Sequence, residues 1–229
     1  MAGTVSDISP DQAARIAGAS WLIIIFTGIA AEFFIRMPLI VAGDAIATAE
    51  NISASRELFR IGIAADAVML VFDVVAAVFL YALFSRVNKS LALLATGFRL
   101  VMNAVLAANL VTLMLVLLFA GSTDAATMQF FLDAHGSGYD IALVFFGLHC
   151  AILGYLIYRS DYVPKMLGIL LLSASLGYLI DSFAHLLLPQ GNPVLATTAA
   201  ALVGIAVVAE LSLSLWLLLK GIGEQKALS

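Results

Sequence analysis

Apolar runs of about 20 residues, each long enough to cross a bilayer, recur along the chain with short polar breaks between them. Six such runs are readable, at residues 15–37, 60–84, 91–120, 138–158, 164–188 and 193–219, with Pro38 closing the first and Pro164 and the Asn192-Pro193 pair opening the last two. The pattern predicts an all-α fold: a polytopic membrane bundle of six transmembrane helices. Ahead of the first run, Ser9-Pro10-Asp11-Gln12 reads as a helix start, with Ser9 as N-cap, Pro10 at the first helical position and Gln12 closing a capping box.

The six runs nearly exhaust the 229 residues, so residues 1–229 form a single membrane domain with no soluble unit large enough for its own core. The chain is 63% hydrophobic and only 11% charged, and its net charge of −4 provides no basic surface for nucleic acid. One cysteine, Cys150, lies within an apolar run, which excludes a disulfide framework or thiolate cluster and leaves a small buried hydrophobe. The first run is kept as a span and not a signal peptide, because the segment before it is long, carries Asp7 and Asp11, and has Arg15 as its one basic residue.

Basic residues set the expected orientation. Arg15, Arg86, Lys89, Arg159, Lys165, Lys220 and Lys226 fall on one side, so both termini are expected in the cytoplasm. Trp21, Tyr81, Tyr158, Tyr162 and Trp216 then read as an aromatic belt at the cytoplasmic interface. On the other side, the loop 38–59 is polar, with Ser53 or Ser55 available to cap the second span, and residues 122–132 read as a short interfacial helix. Small residues four apart, Ser173 with Gly177 and Ala200 with Gly204, suit close helix contact.

Ionisable groups inside such runs are costly unless they face one another or water, so they mark the bundle interior. At about 1.5 Å per residue they sort into layers. An outer polar layer holds Glu32, Arg36, Arg60, Asp66, Asp140, Asp181 and His185, with Tyr178 grouped with it. A middle layer holds Asp73, Arg99 and His149, with Asn103 one turn from Arg99, and Glu210 lies deeper, towards the cytoplasmic half. Arg99 cannot shed its charge and needs an anion, and Asp73 at nearly the same height is the expected partner, so the second and third spans should touch there. Asn103 and His149 are expected to complete the hydrogen bonds of that pair.

Glu32 and Arg36 are spaced for an i, i+4 ion pair on the first helix, and Asp66 and Asp73 share a face of the second. Glu210, alone at its depth, would be held neutral there, as a proton carrier or an isolated structural glutamate both require. Asp181 and His185 form a D-x-x-x-H pair which, with His149, invites a zinc reading. Yet His149 and His185 differ in height by roughly 12 Å along untilted helices, so no metal and no haem or other cofactor is assigned. His185 is expected to pair with Asp181.

The stretch Tyr139-Asp140 through Phe145-Phe146-Gly147-Leu148-His149, on to Gly154-Tyr155-Leu156-Ile157-Tyr158-Arg159-Ser160, then Pro164, Gly168 and Leu176-Gly177-Tyr178-Leu179-Ile180-Asp181, resembles a bacterial membrane family known only as domain of unknown function 4386. The resemblance covers most of the chain and is strongest over the fourth and fifth spans. It implies a six-helix protein of the bacterial inner membrane and no activity. It makes Asp140, His149, Tyr178 and Asp181 site candidates, with no established role to carry over.

Three functions fit these residues. The first is a non-catalytic bundle that binds a lipid, a small molecule or other membrane subunits, with Asp73 and Arg99 paired and no open cavity joining the layers. The second is a proton-coupled transporter, with a continuous polar cavity from Asp140 and Asp181 down to Glu210. The third is an intramembrane metal-dependent hydrolase using His149, Asp181 or His185. The first is the preferred reading, with membrane lipids as the surrounding partner.

Overall fold

The computed structural model describes residues 8–120, 124–188 and 193–222, with side chains of the last segment from Gly204 onward. Ser122, Asn192 and Lys226, invoked above, lie outside the described residues, as does the side chain of Ala200. The first helix, α1 (Pro10–Ile29), starts as its sequence dictates: the Gln12 amide donates to Ser9 Oγ at 3.2 Å, and the Ser9 amide donates back to Gln12 Oε1 at 3.1 Å. It continues without a break into a π-helical segment, Ala30–Arg36, and a 3-10 turn at Met37–Leu39.

The loop expected at 38–59 contains a helix of its own, α2 (Ala45–Ala54), capped by Asp44, whose Oδ1 accepts from the Ala47 amide at 2.9 Å. The next helix, α3 (Arg56–Phe84), follows directly, and Ser55 precedes it without a side-chain cap. Asn88 caps α4 (Lys89–Phe119), and Asp124 caps α5 (Ala125–Arg159). Then come α6 (Lys165–Leu187) after Pro164, and α7 (Pro193–Leu219).

Residues 125–132 are therefore not a separate interfacial helix but the first turns of α5. Met128 explains the difference: it is buried in an apolar cluster with Ile52, Phe59, Leu113 and Leu117, which anchors this end of α5 over α2 and α4. At 35 residues, α5 is roughly 50 Å long, well beyond a hydrocarbon core of about 30 Å.

Among the described residues, five helices are long and apolar enough to cross a membrane: Pro10–Leu39, Arg56–Phe84, Lys89–Phe119, Ala125–Arg159 and Lys165–Leu187. The described part of α7, Gly204–Leu219, is apolar as well. The chain is thus an all-helical, multi-pass membrane protein. Its long helices form a ring in which each packs on the next in chain order, α1 on α3, then α4, α5, α6 and α7, and α7 closes back on α1.

Two close approaches shape the ring. A side chain at Gly154 would strike the carbonyl of Gly168, and one at Gly168 would strike that of Gly154, so α5 and α6 meet backbone to backbone at this pair. The seam between α1 and α7 depends likewise on Gly18, against Ser214 and Leu218. Of the small-residue pairs picked out by spacing, Ser173 is half-buried and Gly177 buried, whereas Gly204 faces open space. At the N-terminal end, hereafter proximal, the seam is clasped by Arg15 Nη1 donating to the Leu218 carbonyl at 3.0 Å and by the Ile222 amide donating to Asp11 Oδ1 at 3.1 Å.

Candidate functional site

Asp73 and Arg99 meet in the middle of the ring as their common height predicts. Arg99 Nε donates to Asp73 Oδ1 at 2.7 Å, and Nη2 lies 2.6 Å from the same oxygen without a hydrogen-bonding angle. Both side chains are almost wholly buried, at 0% exposure for Arg99 and 3% for Asp73. On α5, His149 completes the set. Its Nδ1 lies 2.9 Å from the Ala95 carbonyl, which can only accept, and its Nε2 lies 3.1 Å from Arg99 Nη1, which can only donate. The imidazole is therefore neutral, with its proton on Nδ1.

The indole of Trp21 covers the guanidinium, with Arg99 Cζ 4.6 Å from its centroid, and Phe146 faces Arg99 at 5.5 Å. The same indole donates through Nε1 to Glu210 Oε2 at 3.0 Å, while the Tyr178 hydroxyl donates to Glu210 Oε1. Side chains from α1, α3, α4, α5, α6 and α7 thus converge on one polar centre.

Three sequence expectations are corrected here. Trp21 is not an interfacial belt residue; counted along a helix that starts at Pro10 and runs on to Leu39, it lies well inside the span and is fully buried. Tyr178 belongs to this centre and not to the outer layer, and it brings Glu210 with it, so Glu210 is not a separate, deeper group. Asn103 does not join the Asp73–Arg99 pair: its amide donates to the Leu70 carbonyl at 3.1 Å, and its Oδ1 has no partner.

Towards the other, distal end of the ring, Arg36 Nε donates to Glu32 Oε2 at 2.7 Å, as the spacing predicts, and its Nη1 bonds Asp66 on α3. Arg36 is itself buried, so this bridge ties the π-helical segment to α3. His185 Nδ1 lies 3.8 Å from Asp181 Oδ1, the expected partner, and 3.2 Å from Asp140 Oδ1, a nearer second partner supplied by α5. Arg60 is no part of the interior: it is exposed beside Phe59, which takes the buried position, and it pairs with Glu57 at 2.5 Å.

The sequence reading missed a further distal cluster. The Asn109 amide donates to the His135 carbonyl at 2.8 Å, and Thr112 Oγ1 lies 3.2 Å from His135 Nδ1. Asn109 and Thr112, three apart in an otherwise apolar run, were the available signal.

A cavity of about 480 Å³ joins the two layers. Glu32, His135, Gly136 and Asp140 line its distal end, Asp73, Arg99, Tyr178 and Glu210 its inner end, and apolar side chains such as Met69, Met102, Leu106 and Leu143 the wall between. The expectation of an interior without a connecting cavity is overturned: six converging helices leave room beside the paired charges. Asp181 does not line it. No group of three or more His, Cys, Asp or Glu among the described residues is arranged to hold a metal ion. His149, central to the hydrolase reading, has both ring nitrogens engaged.

A family profile described as a domain of unknown function (DUF4386) matches residues 16–221. An uncharacterized protein of Archaeoglobus fulgidus is 36% identical over 113 residues, a match that covers 49% of this chain and 60% of that protein. No solved structure matches the chain.

Proposed function

We propose that this chain, which belongs to the DUF4386 family, holds a small amphiphilic molecule in the cavity at the centre of its ring. The observation that carries this reading is the form of the cavity: at about 480 Å³ it is the size of a small-molecule site, its wall is apolar, and polar groups are confined to its two ends. The Asp73–Arg99–His149 set and the Trp21–Glu210–Tyr178 set fix the inner end, so a guest meets a preorganised polar floor. In this reading α7 is a sixth span, both termini face the cytoplasm of a bacterial cell, and the inner membrane supplies the surrounding lipid.

Gly136 provides the test. It lines the cavity, and a Cβ placed there meets nothing within 4 Å, so Gly136→Phe starts a bulky side chain at the distal end without a backbone clash. Native mass spectrometry of the intact protein is expected to show a non-covalent small-molecule adduct that Gly136→Phe removes. An adduct-free wild type, or an adduct indifferent to the substitution, overturns the reading.

The same cavity supports a second reading, proton-coupled carriage, because it reaches both Asp140 and Glu210. Proteoliposome uptake of a solute that Glu210→Gln abolishes would favour carriage over simple binding.

A further inference from the structure

We infer that the cavity selects a cation: a quaternary or protonated amine on a compact apolar body. This rests on the reading that the cavity binds a small molecule. Among the charged side chains lining the cavity, four are acidic, Glu32, Asp73, Asp140 and Glu210, and one is basic, Arg99. Arg99 has Asp73 at one edge, His149 at another and Trp21 over its face, and its Nη2 lies within ion-pair distance of Asp73 without a hydrogen bond. Arg36, the partner of Glu32, is shared with Asp66.

The carboxylates are less completely matched. Glu210 is held by two neutral donors, the indole of Trp21 and the hydroxyl of Tyr178, and no cation lies within ion-pair distance of it among the described residues. Asp73, 3% exposed, commits Oδ1 to Arg99, and no described residue donates to its Oδ2. Asp73, Glu32 and Asp140 each have a basic partner, in Arg99, Arg36 and His185, so the unmatched group among the described residues is Glu210, a buried carboxyl that is unfavourable as an anion until a positive group enters beside it. Tyr139, Phe146 and Tyr178 also line the cavity, and an aromatic ring attracts a cation placed over its face. An anionic guest of the same size would set its charge against these carboxylates.

The test uses the full chain in phosphatidylcholine nanodiscs and three probes on one benzyl body: benzyltrimethylammonium, benzylsulfonate and benzyl alcohol. Titration calorimetry is expected to give benzyltrimethylammonium at least about tenfold tighter binding than benzylsulfonate, since even a partly screened carboxylate at contact distance contributes that much. Glu210→Gln keeps the hydrogen-bonding shape and should erase most of the preference. Glu32→Gln, at the half-exposed distal end, gives a second measure if the first variant fails to fold, and should weaken the cation alone. Gly136→Phe should remove binding of every probe. Equal or tighter binding of benzylsulfonate or benzyl alcohol, still lost in Gly136→Phe, overturns cation selection and leaves the cavity reading intact. Binding of none of the three, or binding untouched by Gly136→Phe, overturns both. A cation preference unchanged in both glutamate variants overturns the assignment of these carboxylates to recognition.

Discussion

The indole N–H of Trp21 donates to the carboxylate of Glu210 at 3.0 Å across the seam where the last helix of the ring meets the first. The same indole lies over the guanidinium of Arg99, so one side chain joins two buried charged groups. Trp21→Phe separates these roles, since a phenyl ring keeps a face for Arg99 and loses the donor. Leaving a buried acceptor short of one hydrogen bond costs about 1–3 kcal/mol. A lowered melting temperature in detergent is expected. An unchanged one would show that the bond contributes nothing to stability.

Asp73 and Arg99 are almost wholly buried and bonded at 2.7 Å. Arg99→Leu strands a buried carboxylate and is expected to destabilise by about 3–5 kcal/mol. Replacing both residues with Leu removes the stranded charge and should be milder than the single change. Thermal unfolding of the two singles and the double makes the comparison, and equal losses in the Arg99 single and the double would contradict the pairing.

Gly154 and Gly168 bring the backbones of α5 and α6 together, so Gly168→Ala drives a methyl group against a carbonyl that cannot step aside. A loss of roughly 1–3 kcal/mol is expected from such overpacking. Gly204→Ala is the control, because a Cβ there meets nothing within 4 Å and a helical glycine replaced by alanine gains about 0.5–1 kcal/mol. Opposite shifts in melting temperature are the predicted outcome; parallel shifts would reject the close approach.

A periplasm-dependent reporter fused to the C-terminus should give no signal, since Arg15, Arg86, Lys89, Arg159 and Lys165 all lie at the proximal end, where Ile222 bonds Asp11. Activity of that fusion would reverse the orientation.

Much of this architecture was legible because hydropathy over about 20 residues reports span length directly. The Asp73–Arg99 contact was legible for a related reason: an arginine at mid-depth requires an anion, and counting residues gives its height. Counting failed where helices do not start at the bilayer edge or do not run straight. Trp21 was placed at an interface by its distance from the start of the apolar run at Arg15, which does not show that its side chain turns inward to Arg99 and Glu210. Tyr178 and Glu210 were assigned to different layers, yet they are bonded; residue counts take no account of helix tilt. The cavity was beyond sequence reading altogether, because it is the space left by six helices and belongs to no single one of them.

The ring closes only when α7 packs against α1, and that seam carries Gly18, the Trp21–Glu210 bond and the proximal clasp. During synthesis α1 is made well before α7, so its indole donor and its glycine groove stay uncovered until α7 arrives. A nascent chain halted before Glu210 would lack part of the floor of its own cavity, so the site forms only when α7 docks.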